Sequence, residues 1–344
     1  MKDTHVGKVK VKTVESHLYL SEWVNSMGLN RENVKAKASK GVGVARDIAQ
    51  ILRDLYLGEF YFEALKLMRE SMLISVLTSN LEVAFNLSAA DIKVLDDVDT
   101  TLLRTALNVS SKSSRCLMFL ELGILPVQYV IQKKRLGYLH HLLTAGVQSL
   151  AKQVFDKQTE NGSNGTWVNL IVKDLANLKL NLSFDQISNL SKQRFKALVR
   201  NACMELCFKQ LLSDKFKLSK GSEITYHKFS TQSYLKPGYG LSTEKMRKIY
   251  HTRCRETYLK CNYPMSFSDK ECISLCDKGS DSERHIYTCK SFAKPNAIVS
   301  EITPFEVIFG NNVPLQCRVI DELYARLEVR KKFIQPASPT GGST

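Results

Sequence analysis

Apolar residues recur at three- and four-residue spacing through most of this chain, a period that restricts the fold to helices with one buried face each. From Arg31, the positions Val34, Ala38, Val42 and Ala45 lead into Ile48, Ile51, Leu52 and Leu55, with Gly41 and Gly43 weakening the middle of the run. Phe60 to Leu77 places Ala64, Leu65, Met68, Met72 and Val76 on one side, and Ala89 to Leu107 does the same with Ile92, Leu95, Val98, Leu102 and Leu103. Leu117 to Leu143 is helical on either side of a break at Gly123 to Pro126, and Trp167 to Leu178 and Thr243 to Tyr258 follow. Lys192 to Leu212 is the cleanest amphipathic run: Phe195, Leu198, Val199, Ala202, Cys203, Leu206 and Leu211 form its stripe, and Arg194, Lys196, Arg200 and Lys209 lie opposite. These faces read as packing core, not as cofactor boxes.

The expected class is therefore mainly α. His17 to Val24 is aromatic and β-branched enough to form a strand, with turn chemistry over Asn25 to Gly28. The Asn-, Gly- and Ser-rich stretch 158–166 is the expected linker, and the tail 335–344 is expected to be disordered. With 344 residues and 44% hydrophobic content, the chain is long enough for about two domains.

Lys and Arg outnumber Asp and Glu by 49 to 34, a formal charge of +15 that points to a polyanionic partner; the plainer reading is that the charge only maintains solubility. The cations concentrate in three places. Candidate phosphate contacts are Lys133, Lys134 and Arg135 in the first, Arg194, Lys196 and Arg200 in the second, and Lys245, Arg247, Lys248, Arg253 and Arg255 in the third. No apolar run reaches the roughly 20 residues needed to span a bilayer, and the first residues lack the apolar core of a signal peptide. An intracellular protein of nucleus or cytoplasm, with no membrane partner, is the expectation. Nine cysteines, an odd number, argue for buried thiols and metal ligands over a disulfide framework.

The sharpest local signal is Cys272, Cys276, His285 and Cys289, a C-x3-C-x8-H-x3-C array. Three thiolates and one imidazole complete a closed tetrahedral set around a structural zinc ion, and the polar stretch 277–282 lets the chain fold back on itself. The competing reading is a buried-thiol cluster beside a surface histidine, since the opening spacer is looser than the usual two residues. Cys261 lies near enough to substitute as a ligand, whereas Cys203 and Cys207 join an apolar stripe and read as core, and Cys116, Cys254 and Cys317 read as ordinary thiols.

Three other strings suggest chemistry and do not carry it. Asp96 and Asp97 invite comparison with a polymerase carboxylate pair, but they fall in a helical pattern, where neighbours point about 100° apart and cannot clamp one ion. Ser39 to Gly43 lacks the phosphate-loop frame and reads as a helix start or kink. His140 and His141 are helical neighbours that cannot share a ligand, and a surface or interfacial position suits them. Neither a hydrolytic triad nor the acidic-plus-lysine pattern of a restriction-like nuclease is legible.

Taken in order, several strings resemble the region downstream of the palm in reverse transcriptases of non-LTR retrotransposons. Leu18 to Ser21 followed by Met27 and Gly28 resembles the primer-grip hairpin, with Ser21 where the family carries glycine. Arg69 to Ile74, Leu77 to Glu82, Leu95 to Asp99 and Leu102 to Arg104 resemble the helical thumb. Leu120 to Pro126 with Lys134 to His140 resembles the connector, and Met246 to Asn262 with the Cys/His array resembles the terminal helix and knuckle.

The resemblance implies a thumb-like helical bundle with a short N-terminal hairpin over 1–110, a connector over 111–157, a second, basic helical region over 167–260, a small zinc-knuckle module over 261–295 and a helical segment over 296–334. It implies RNA or DNA as partner, bound by thumb and knuckle. The fingers, the palm and the catalytic aspartates of the family are missing, so the expectation is a binder and not an enzyme. One alternative is a split or larger polymerase whose missing domains act in partnership with this chain; another is a helical protein-interaction scaffold.

Overall fold

A computed structural model of the chain describes residues 4–6, 9–11, 16–19, 22–25, 30–84, 87–161, 166–218, 223–257, 259–262, 271–273, 276, 279–292 and 304–334. The fold is mainly α, as the periodicity requires. Two antiparallel hairpins precede the helices: β1 (Thr4–Val6) pairs with β2 (Val9–Val11), and β3 (Ser16–Tyr19) with β4 (Glu22–Asn25). Tyr19 pairs with Glu22, so the single strand expected over His17 to Val24 is two strands paired with each other.

α1 (Arg31–Asp54) runs without interruption through both of its glycines. Gly41 is not a helix start or kink: a Cβ there would lie 2.5 Å from Leu77 and 3.3 Å from Val98, so the missing side chain admits these two residues against the α1 backbone. α2 (Tyr61–Met68) passes through a π-helical segment, Arg69–Ile74, into α3 (Ser75–Thr78). α4 spans Ala89–Leu107, α5 Arg115–Leu122 and α6 Val127–Thr144. α5 stops at Gly123, which is left-handed at φ 61°; a Cβ would meet the Thr231 amide nitrogen at 2.2 Å, so only glycine fits.

α7 (Leu150–Asn161) was not legible as a helix, and α8 (Trp167–Asn177) opens on Thr166, whose hydroxyl accepts the Asn169 amide. α9 (Phe184–Ser188) carries a full capping box between Ser183 and Gln186. α10 (Lys192–Phe216) is the longest helix described, followed by α11 (Thr243–Arg253), α12 (Glu283–Thr288) and α13 (Val313–Ile334). α11 ends earlier than its pattern suggests, because Cys254 leaves helical geometry and Arg255 takes a positive φ of 54°.

The chain forms two compact units that interleave along the sequence. One comprises Met1–Ile51, Leu67–Leu103 and Leu125–Lys209; the other comprises Leu52–Lys66, Arg104–Ile124 and Gln210–Thr344. The expected linker at 158–166 therefore falls inside the first unit: 158–161 belong to α7, and 162–165 lie outside the described residues, as does the tail 335–344.

In the first unit, Leu136, Leu139, Phe155, Trp167, Ile171, Ile187, Phe195 and Val199 pack into one core from α6, α7, α8, α9 and α10. His140 belongs to it too. It is buried, stacked on Phe195 with 5.6 Å between ring centroids, and its Nε2 lies 2.9 Å from the Leu190 carbonyl, which corrects the expected surface position. Arg69 and Asp99 are both fully buried and joined by two bonds, Nε to Oδ1 at 2.7 Å and Nη2 to Oδ2 at 2.6 Å, while Arg69 also donates to the Leu125 carbonyl. Asp96 accepts the Val127 amide at 3.2 Å, and Asp97 is exposed, so the acidic string of α4 performs three different jobs.

Removing one partner of a buried pair strands the other charge, which costs about 3–5 kcal/mol. Asp99→Ala is expected to lower unfolding stability by that amount, and Asp97→Ala to change it by less than about 0.5 kcal/mol, since exposed positions rarely matter more. Urea denaturation of the two variants measures the difference.

Candidate metal centre and basic surface

Four side chains of the second unit converge near its C-terminal end. Cys272 follows Glu271, which bridges antiparallel to Ser280, and the Cys272 amide donates to the Gly279 carbonyl at 3.1 Å. α12 supplies His285, and Cys289 caps its end, donating its amide to the His285 carbonyl at 2.7 Å. Ser282 starts α12 by accepting the His285 amide. The sequence spacing thus becomes a hairpin and one short helix with four ligands facing each other.

The ligand atoms of Cys272, Cys276, His285 and Cys289 all lie within 4.8 Å of one another, and Cys276 Sγ is 3.2 Å from His285 Nε2. Tetrahedral ligands about 2.0–2.3 Å from an ion are separated by roughly 3.3–3.8 Å, so the group can hold a metal ion. Cys272 and Cys289 are buried, and Cys276 and His285 are half-buried. Cys261 is not a member of the group, although its amide donates to the Asp281 carbonyl within the same module.

Buried charges fix the support around this group. Asp281, fully buried, receives Arg330 Nε at 2.9 Å and Nη2 at 2.5 Å, and Arg326 donates to the Cys289 carbonyl at 2.8 Å. Both arginines come from α13, so that helix holds the ligand segment at Asp281, between Cys276 and His285, and at its last ligand, Cys289. Asn262 binds Glu283, whose carboxyl burial pushes above the usual carboxylate range. Gly279 packs on the imidazole: a Cβ there would lie 2.4 Å from His285 Nδ1. None of these supports was legible in the spacing of the ligands.

No other cysteine joins a group of candidate metal ligands among the described residues. Burial pushes the Cys203 thiol up to about 12, too high for a ready thiolate at neutral pH, and Cys207 is buried on the same face of α10.

The predicted phosphate contacts divide sharply. Arg135 is buried and bonded to Asp174 at 2.7 Å, and Arg253 is buried against Glu121, so neither is available to a phosphate; their charges serve the interior. Arg247 donates to the Ala106 carbonyl and the Tyr61 hydroxyl, Arg255 pairs with Glu223 at 2.9 Å, Lys248 with Glu244 at 2.6 Å, and Lys245 with Asp321. Lys133 and Lys134 are half-buried, and desolvation draws Lys134 below the usual ammonium range. Arg194, Lys196 and Arg200 are exposed on α10, with Lys192 alongside, and none of these four is ion-paired with a described residue.

No protein-family model matches this chain, and no curated protein and no solved structure matches it either. No single helix among the described residues is long and apolar enough to cross a membrane.

Gly279→Ala is expected to push the His285 ring out of line and weaken metal binding by about 10- to 100-fold, the usual scale for disturbing a ligand's support. Competition with a chromophoric chelator measures it, and Ser280→Ala should leave the affinity unchanged.

Proposed function

We propose that this chain is a non-catalytic nucleic-acid binder of the kind formed by the thumb-to-knuckle portion of a non-LTR retrotransposon reverse transcriptase. It holds RNA or DNA through its phosphates and carries a structural zinc ion on Cys272, Cys276, His285 and Cys289. The observation that carries the reading is the exposed basic face of α10. Lys192, Lys196 and Arg200 follow at four-residue intervals on one row beside the buried stripe of Phe195, Val199, Cys203 and Cys207, and Arg194 lies on the other flank of that stripe. A helix that presents to solvent four cations with no ion-pair partner among the described residues suits a polyanion, whose bound counterions are released as the phosphates are neutralised.

Zinc is the metal that three thiolates and one imidazole favour, and a four-ligand closed set leaves no open position for substrate or water. Its contribution is therefore to fold the module, holding the hairpin around Gly279 to α12. The Val127 amide on Asp96 supports the non-catalytic part of the reading, because it engages one member of the Asp96–Asp97 pair inside the fold while the other is exposed.

Filter binding of a single-stranded oligonucleotide across a salt series tests the binding. Affinity should fall steeply with salt, and the triple variant Arg194→Ala, Lys196→Ala, Arg200→Ala should reduce the log–log slope by about two to three, at ~0.7–0.9 per phosphate contact. A flat salt response, or a triple variant with the parent's slope, contradicts it. Elemental analysis should find one zinc per chain, lost when Cys276 and His285 are both replaced by alanine; zinc retained by that variant refutes the site.

A further inference from the structure

The four candidate ligands differ in how far solvent reaches them. Cys272 is 2% exposed and Cys289 5%, whereas Cys276 is half-buried, so Cys276 is the thiol of the group that a small solute meets first. A cysteine oxidises according to its accessibility and its thiolate character, and a sulfur that ligates a metal is held as thiolate. Cys261 and Cys317 are also half-buried, but neither belongs to the group, and burial raises the Cys317 thiol.

A second sulfur stands within reach. The Sγ atoms of Cys272 and Cys289 each lie within 4.8 Å of that of Cys276, a gap that a disulfide closes to about 2.05 Å. Three residues separate Cys272 from Cys276, so a local shift of that short segment suffices. Drawing Cys289 inward would instead move the end of α12, which packs on α13, and break the Arg326 bond to the Cys289 carbonyl. Cys272 is therefore the partner that costs the fold least.

We propose that the centre is a peroxide-sensitive switch, in which Cys276 is oxidised first, closes a disulfide with Cys272, and so releases the metal. The Cys276 thiolate attacks hydrogen peroxide; the S–O bond forms as the O–O bond breaks, and the departing hydroxide takes a proton to become water. The Cys272 thiolate then attacks the Cys276 sulfur; the S–S bond forms, the S–O bond breaks, and a second hydroxide leaves as water. Each sulfur gives up one electron and the peroxide gains both. His285 and Cys289 alone remain as donors, too few for a closed tetrahedral site. The bonds of Ser282 to the His285 amide, Arg330 to Asp281 and Arg326 to the Cys289 carbonyl use no ligand sulfur, so the oxidised segment stays tethered to α13 and reloads once a dithiol reduces it. The proposal rests on the zinc reading above and adds a regulation to that site.

The test uses the full chain loaded with zinc, hydrogen peroxide as the oxidant and a chromophoric chelator as the reporter. About one zinc per chain should be released, the content of one such site, as the Cys272 and Cys276 thiols disappear. Peptide mass mapping should find the Cys272–Cys276 disulfide, and dithiothreitol with added zinc should restore the loaded chain. Cys276→His, which keeps four donors, should retain its zinc over the time in which the parent loses half, and Cys261→Ser should behave as the parent does. Should Cys276→His fail to bind zinc, the disulfide mapped in the parent decides. Zinc retained by the parent in excess peroxide, zinc retained by Cys261→Ser, a disulfide between other cysteines, or sulfinic acid in place of any disulfide overturns this proposal alone; a reduced parent chain that takes up no zinc overturns it together with the zinc reading.

Discussion

Glu121 is fully buried in α5, and its charge is answered from three parts of the second unit. Tyr226 and Tyr234 each donate a hydroxyl at 2.6 Å, one to each carboxylate oxygen, and Arg253 of α11 donates Nη2 to Oε1 at 3.1 Å. Arg253 in turn donates Nη1 to the carbonyls of Ile308 at 2.6 Å and Gly310 at 3.0 Å, reaching the turn before α13. Burial and the adjacent carboxylate raise both tyrosines well above the usual phenol range, so they stay protonated donors. Because α13 supplies Arg326 and Arg330 to the metal module, the order around Glu121 and the order around Cys289 and Asp281 share one helix. An isolated buried carboxylate would oppose folding by several kcal/mol, so this unit forms only if all the partners arrive together.

Helix positions were legible because they depend on local spacing. Ala89–Leu107 ends where its apolar pattern ends, and the break before Pro126 falls between α5 and α6. The four metal ligands were legible for the same reason: C-x3-C-x8-H-x3-C is a local pattern. Pairings between distant residues were not, since nothing in the string around Arg69 announces Asp99, and nothing near Leu120 announces Arg253. The stretch 158–166 reads as a linker because it is rich in Asn, Gly and Ser, yet 158–161 continue α7, whose Phe155 is buried in the core. The hairpin of β3 and β4 was read as one strand because both arms carry strand-forming side chains.

Arg69, Asp99, Glu121 and Arg135 are buried charges that serve the interior. The cations of α10, Lys192, Arg194, Lys196 and Arg200, are a different set, exposed and without an ion-pair partner among the described residues, and a count of basic residues alone does not separate the two sets. Arg135 and Arg253 illustrate the point, since each was a reasonable phosphate contact until its buried carboxylate partner was seen.

A double-mutant cycle on Glu121→Gln and Arg253→Met, followed by chemical denaturation of the metal-loaded chain, tests most directly whether a buried charge pair organises this unit. Coupling between the two sites should reach about 2–3 kcal/mol, the upper part of the range for contacting residues. If the two changes add to within about 0.5 kcal/mol, as for distant sites, the pair does not hold the unit together.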